Sequence, residues 1–163
     1  MTLASSNDLI TYFADLVEEL ERYAIILLLP RDDELALGDT GDGGLVVDLQ
    51  GRLPVSPRSK NVDLELFEVW REVGGAWTCV EYKYELRHRE LEYRRAFHRH
   101  DEEHFVRVRG VATHEHCEAT MGIEVCRHYA GQPVVGGFDA FRRLYDLWLV
   151  DAKPDCRALV CLD

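Results

Sequence analysis

No stretch of this 163-residue chain stays apolar long enough to cross a bilayer: the longest apolar run, Tyr23 to Pro30, falls far short of the ~20 residues a spanning helix needs. A basic n-region is missing too, and Asp8, Asp15 and Glu18 interrupt the apolar residues near the N-terminus, so that segment does not read as a signal peptide. No cysteine pair is spaced CxxC. The five cysteines (Cys79, Cys117, Cys126, Cys156, Cys161) are odd in number and scattered, which points to free thiols in a reduced, cytoplasmic setting, with a Cys156–Cys161 disulfide as the alternative. Positive charge is in deficit: 19 Lys+Arg stand against 30 Asp+Glu, a net charge of −11, which argues against non-specific coating of nucleic acid. The glycine-rich GDTGDGG (Gly38–Gly44) is too acidic to cradle a phosphate and lacks the lysine of a phosphate loop. There is no fixed-period repeat and no low-complexity tract.

What is present is globular. With 47% hydrophobic and 30% charged residues the chain can build a core, and its length suits a single domain spanning residues 1–163. Leu9, Ile10, Phe13, Leu16, Val17 and Leu20 recur at helical spacing behind a cap at Asn7 or Asp8. Tyr23–Leu29 fits a short buried strand or a continuation of that helix, and Leu45–Leu49 fits another strand. The two prolines of Leu53–Lys60 mark a loop. A hairpin is expected next: a strand over Val62–Glu72, a turn at Gly74-Gly75, and a second strand from Thr78. In that second strand Val80, Tyr82, Tyr84 and Leu86 alternate with Glu81, Lys83, Glu85 and Arg87, one face buried and the other wet. Further strands are expected over Leu91–His100, Phe105–Gly110 and Val111–Glu118. A closing helix carries Phe138, Phe141, Leu144, Tyr145 and Trp148, and CRALVCL (156–162) adds a last strand or packs on the core. The order predicts an α+β fold: an antiparallel β-meander packed by an N-terminal and a C-terminal amphipathic helix.

The chemistry concentrates in the middle. Between Arg87 and Arg109 lie seven arginines (87, 89, 94, 95, 99, 107, 109), no lysine and five acids, giving +2 inside an acidic chain. Guanidinium groups suit bidentate phosphate or carboxylate geometry, although cross-strand Arg–Glu pairs on a solvated face would use the same residues. Two HxH pairs stand out, His98-Arg99-His100 and His114-Glu115-His116. On a strand, residues i and i+2 share a face, so each pair can aim two imidazoles at one point; His104 in the intervening DEEHF turn can join, with Asp101, Glu115, Cys117 and Glu118 nearby. Two chemistries fit. One is divalent metal binding (Zn, Ni, Fe or Mn) by His98, His100, His114 and His116. The other is metal-free cleavage of RNA, with a pair drawn from the same four histidines as general base and acid and with Arg94, Arg95 and Arg99 anchoring the phosphate. Tyr82, Tyr84, Trp70 and Trp77 suit either a base-stacking platform or the core, and the core is the commoner place for such residues. Cys117 beside His116 has the spacing of a nucleophile and base but no oxyanion motif to accompany it, and His88 and His128 read as surface or satisfied core residues.

Three segments, Glu81–Arg87 (EYKYELR), Tyr93–Asp101 (YRRAFHRHD) and Thr113–Glu118 (THEHCE), resemble TumE-type toxin components of toxin–antitoxin pairs and related small prokaryotic proteins, over about 40 of the 163 residues. The resemblance implies a compact α+β toxin with an antitoxin partner, and a polar cluster at Asp101, His114 and His116. The chain is longer than that pattern and adds the acidic loop at 31–50 and the helix near residue 140. Together these readings describe a cytoplasmic, toxin-like or defence-associated ribonuclease that does not enter the membrane. The alternative is a non-catalytic metal- or partner-binding domain. A third reading is a homodimer formed through an exposed helix face of Phe138, Phe141 and Trp148.

Overall fold

The computed structural model describes residues 1–28, 37–54, 61–90, 94–99, 113–120, 123–128 and 136–150. Among the described residues two helices, α1 (Ser6–Arg22) and α2 (Gly136–Val150), accompany nine strands: β1 (Thr2–Leu3), β2 (Ile26–Leu27), β3 (Leu37–Asp39), β4 (Leu45–Arg52), β5 (Val62–Val73), β6 (Ala76–His88), β7 (Arg94–Arg99), β8 (Thr113–Thr120) and β9 (Ile123–His128). All strand pairings are antiparallel, and β4 to β9 follow one another across the sheet in chain order, so the fold is the α+β meander expected from the sequence. Strands β2 and β3 share the outer edge of β4, and β1 pairs with the start of β6.

The helix α1 begins two or three residues earlier than expected. Ser5, not Asn7 or Asp8, is its cap: the Ser5 hydroxyl oxygen accepts from the backbone N–H of Asp8 at 3.2 Å. Its buried face is Leu9, Tyr12, Phe13, Leu16, Glu19 and Leu20, whereas Ile10 is 62% exposed. Within the apolar run after α1, Ala24 takes a left-handed φ of 54° that ends the helix, and Ile26–Leu27 form β2. The expected strands over Phe105–Gly110 and 156–162, and most of the Leu53–Lys60 loop, lie outside the described residues. Strand β9 escaped the sequence reading altogether.

Both helices pack on one face of the sheet. Leu9, Leu16 and Leu20 of α1 and Phe141 and Leu144 of α2 join Leu64, Leu66, Trp70, Tyr84, Leu86 and Phe97 in one core. The faces of α1 and α2 are further tied by Arg142, whose Nε and Nη2 donate to Glu19 Oε1 at 2.9 and 2.6 Å. Phe138 packs against this core and meets Tyr12 edge-on at 5.6 Å, while Phe141 is fully buried. Phe141 is therefore spent inside the protein, whereas Phe138 is half-buried and the side chain of Trp148 lies outside the described residues. Tyr82 and Tyr84 stack at 4.7 Å and are buried with Trp70, so they belong to the core and not to a platform open to bases.

The β5–β6 hairpin sets the phase of everything beyond it. Its turn is Gly74-Gly75 with φ of 62° and 83°, the two positive values that a two-residue type I′ loop requires. A Cβ at Gly75 meets no atom within 4 Å, so Gly75→Ala tests the backbone alone. The substitution is expected to cost about 1 kcal/mol, read as a lower urea midpoint with an unchanged slope. A bulge between Val69 and Trp70 pairs Val69 with Glu81 and Trp70 with Cys79. Val80 is the extra residue, which is why Cys79, and not Val80, takes the buried position.

Candidate functional site

The face of the sheet away from the helices carries the charge. Strict alternation along β7 divides its residues: Phe97 lies in the core with Arg95 buried on the same side, while Arg94, Ala96 and His98 face the other way. On that second face Arg94 is paired with Arg87, Ala96 with Glu85, and His98 with Lys83. Strand β8 continues these rows: Glu118 lies opposite Arg94, His116 opposite Ala96 and His114 opposite His98. The register thus forms a grid three strands wide, with the small Ala96 at its centre. Directly opposed residues of an antiparallel pair have Cα atoms about 4.5–5.5 Å apart, so positions 98 and 114 are immediate neighbours.

Of the seven site positions expected from the sequence, the register brings His98, His114, His116 and Arg94 to one patch of one face. Arg95 and Arg99 do not join them. They occupy the opposite phase of β7, across from Leu86 and Tyr82, and Arg95 is only 2% exposed on the core side. The period of the strand thus places Arg95 and Arg99 on the face opposite His98. His100, His104 and Asp101 lie outside the described residues. Among the described residues, no three His, Cys, Asp or Glu side chains form a group able to hold a metal ion. No helix among them is long and apolar enough to cross a membrane.

One carboxylate of this face, Glu85, has no place among the residues singled out in the sequence. Glu85 sits opposite Ala96 and is only 5% exposed. Arg94 Nη1 donates to Glu85 Oε2 at 3.3 Å, and Lys83 Nζ lies 3.9 Å from the same oxygen. Lys83 is more firmly bound to Glu65, at 2.7 and 2.8 Å to its two carboxylate oxygens. Burial pushes the Glu85 carboxyl up, against the pull of Arg94 and Lys83. The signal that marks Glu85 in the sequence is its place in the Glu81, Lys83, Glu85, Arg87 alternation, which was assigned to solvent as a whole. A folded protein that holds a proton longer than its unfolded chain loses stability as pH rises. Stability is therefore expected to fall as pH is raised from 4.5 through the elevated Glu85 value, and Glu85→Gln is expected to flatten that part of the profile in urea titrations.

A shallow depression of about 210 Å³ opens beside Glu85, walled by Leu28, Gln50, Asp63, Glu65 and Arg87. A second polar cluster is sealed in the core on the far face. Glu68 is fully buried and accepts hydrogen bonds from Tyr12 Oη at 2.6 Å, Tyr84 Oη at 2.7 Å and Trp70 Nε1 at 2.8 Å. Tyr12 Oη in turn accepts from the Gly137 N–H at 2.8 Å. This cluster fastens α1 and the start of α2 to β5 and β6.

Compared with protein-family models, with curated proteins and with solved structures, the chain matches none.

Proposed function

We propose that the face bearing His98 is an acid–base site acting on the phosphodiester backbone of RNA, in a toxin-like or defence-associated protein of the kind the TumE resemblance suggests, with an antitoxin as its protein partner. The observation that carries the reading is the pairing of His98 with His114, with His116 one step along the ladder opposite Ala96. One imidazole of the His98/His114 pair removes the 2′-hydroxyl proton, and the 2′-oxygen attacks phosphorus. The bond from phosphorus to the 5′-oxygen breaks, and the leaving oxygen takes a proton from the second imidazole, leaving a 2′,3′-cyclic phosphate and a 5′-hydroxyl. Arg94, two rows along from His98 on the same face, supplies a guanidinium group for the phosphate in place of Arg95 and Arg99.

The test is degradation of single-stranded RNA by the purified protein with and without EDTA. Cleavage that survives EDTA and disappears in His98→Ala supports the proposal. Absence of cleavage on every RNA offered overturns it. The same His98/His114 pairing favours a second reading, a non-catalytic protein that holds a divalent metal such as Zn, Ni or Mn; stoichiometric metal in an inactive protein, lost in His114→Ala, selects that reading instead.

A further inference from the structure

We propose that the depression beside Glu85 receives a guanine base of single-stranded RNA; the inference rests on the RNA reading of the adjacent His98 face. The argument begins with charge. Three carboxylates line the depression, yet each already has its cation. Lys83 holds Glu65, Arg94 holds Glu85, and Arg52 and Arg89 lie 3.5 and 3.3 Å from Asp63 Oδ1. With Arg87 also in the wall, the lining has no surplus negative charge to attract a metal ion or an organic cation. A hollow without surplus negative charge, rich in both donors and acceptors, suits a polar ligand that is not a cation, and a nucleobase is one.

The pattern of donors and acceptors then selects among bases. Each carboxylate oxygen has two lone pairs, so a Glu65 or Glu85 oxygen engaged by one cation can accept again. Guanine presents two adjacent donors, N1–H and the 2-amino group, which match a carboxylate. On its other edge O6 and N7 are acceptors, and arginine is the commonest specific partner of that edge. Arg87 and the carboxylates share this one lining, and Gln50 offers a donor and an acceptor. Adenine would turn its N1 lone pair toward a carboxylate, and it has no second donor beside the 6-amino group. Leu28 gives the hollow an apolar wall for the ring. Position completes the case. Glu85 lines the depression and also lies opposite Ala96, one row from the His98–Lys83 pair, so a base in the hollow sets its own sugar and phosphate toward Arg94 and His98.

Calorimetric titration of the full chain with guanosine, adenosine and inosine 3′-monophosphates tests this. Guanosine 3′-monophosphate is expected to bind about tenfold or more tightly than the adenosine compound, with inosine, which lacks the 2-amino donor, in between. Glu65→Gln is expected to remove the preference, and the inosine comparison needs no variant at all. Equal affinities, or no binding, overturn the inference. RNA cleavage assayed in parallel separates the two claims. Cleavage without preference for guanosine sinks the pocket and leaves the cleavage site. Selective guanosine binding without cleavage of any RNA sinks the cleavage site and leaves the pocket.

Discussion

Glu68→Ala is expected to lower the free energy of unfolding by about 4 kcal/mol, near the upper end of what single substitutions do. The reason is the number of donors that one carboxylate satisfies. Tyr12, Tyr84 and Trp70 all direct a proton at Glu68 in a region closed to solvent, and removal of the acceptor leaves three buried donors without it. An unsatisfied buried donor costs roughly 1–3 kcal/mol, and partial rearrangement keeps the sum below the simple total. Water cannot readily take the carboxylate's place, because Tyr12, Tyr84 and Trp70 are themselves buried in the core. The effect reaches across the fold, since Tyr12 also accepts the Gly137 N–H at the start of α2.

The same substitution carries a pH signature. Burial raises the Glu68 carboxyl above its usual 4.5, with the three donors pulling the other way. The ionised form is the costly one in the folded state, so the wild-type protein gains stability as pH falls through the raised value toward 4.5. Glu68→Ala lacks this gain, and the difference between the two proteins should widen as pH is lowered across that window. Urea unfolding of both proteins at several pH values measures it. A difference under about 1 kcal/mol, or one that narrows on acidification, would show that the cluster does not hold the helices to the sheet.

The alternation of β6 was legible because period two is a property of the strand itself: Tyr82, Tyr84 and Leu86 are buried as their spacing requires. It fails at Val80 because a bulge is fixed by how many residues of one strand oppose another, which no single strand displays. Glu68 stands in the apolar phase of β5 with Leu64, Leu66 and Trp70, a visible anomaly. Its partner Tyr12 is 56 residues away, and no local pattern connects them. The cap of α1 was displaced because Ser5, Ser6, Asn7 and Asp8 can all serve and stand in a row. Arginine density groups residues that the strand divides between its two faces. Proximity in sequence groups Arg95 and Arg99 with His98, whereas the same period of two that puts positions 98 and 100 on one face puts both arginines on the other. Consecutive strands of a meander lie side by side, and this topology, more than any motif, makes His98 and His114 neighbours.

That neighbourhood predicts a measurable coupling. His98→Ala and His114→Ala are each expected to reduce RNA cleavage by about 10²–10⁴-fold, the range that a positioned acid or base supplies. If the two imidazoles serve as base and acid of one displacement, removing either abolishes the concerted proton transfer, and the double substitution should cost little more than one alone. Independent roles would make the two losses multiply. The pH–rate profile gives a second readout: a bell with two limbs in the wild type, and loss of one limb in each single variant. Arg94→Lys is the control that separates chemistry from charge. It keeps a cation next to Glu85 but loses the planar fork, and is expected to weaken substrate binding while leaving the shape of the bell in place. Two histidine losses that simply multiply, with a bell that neither variant alters, would mean that the His98/His114 pair is an accident of the ladder and not a catalytic pair.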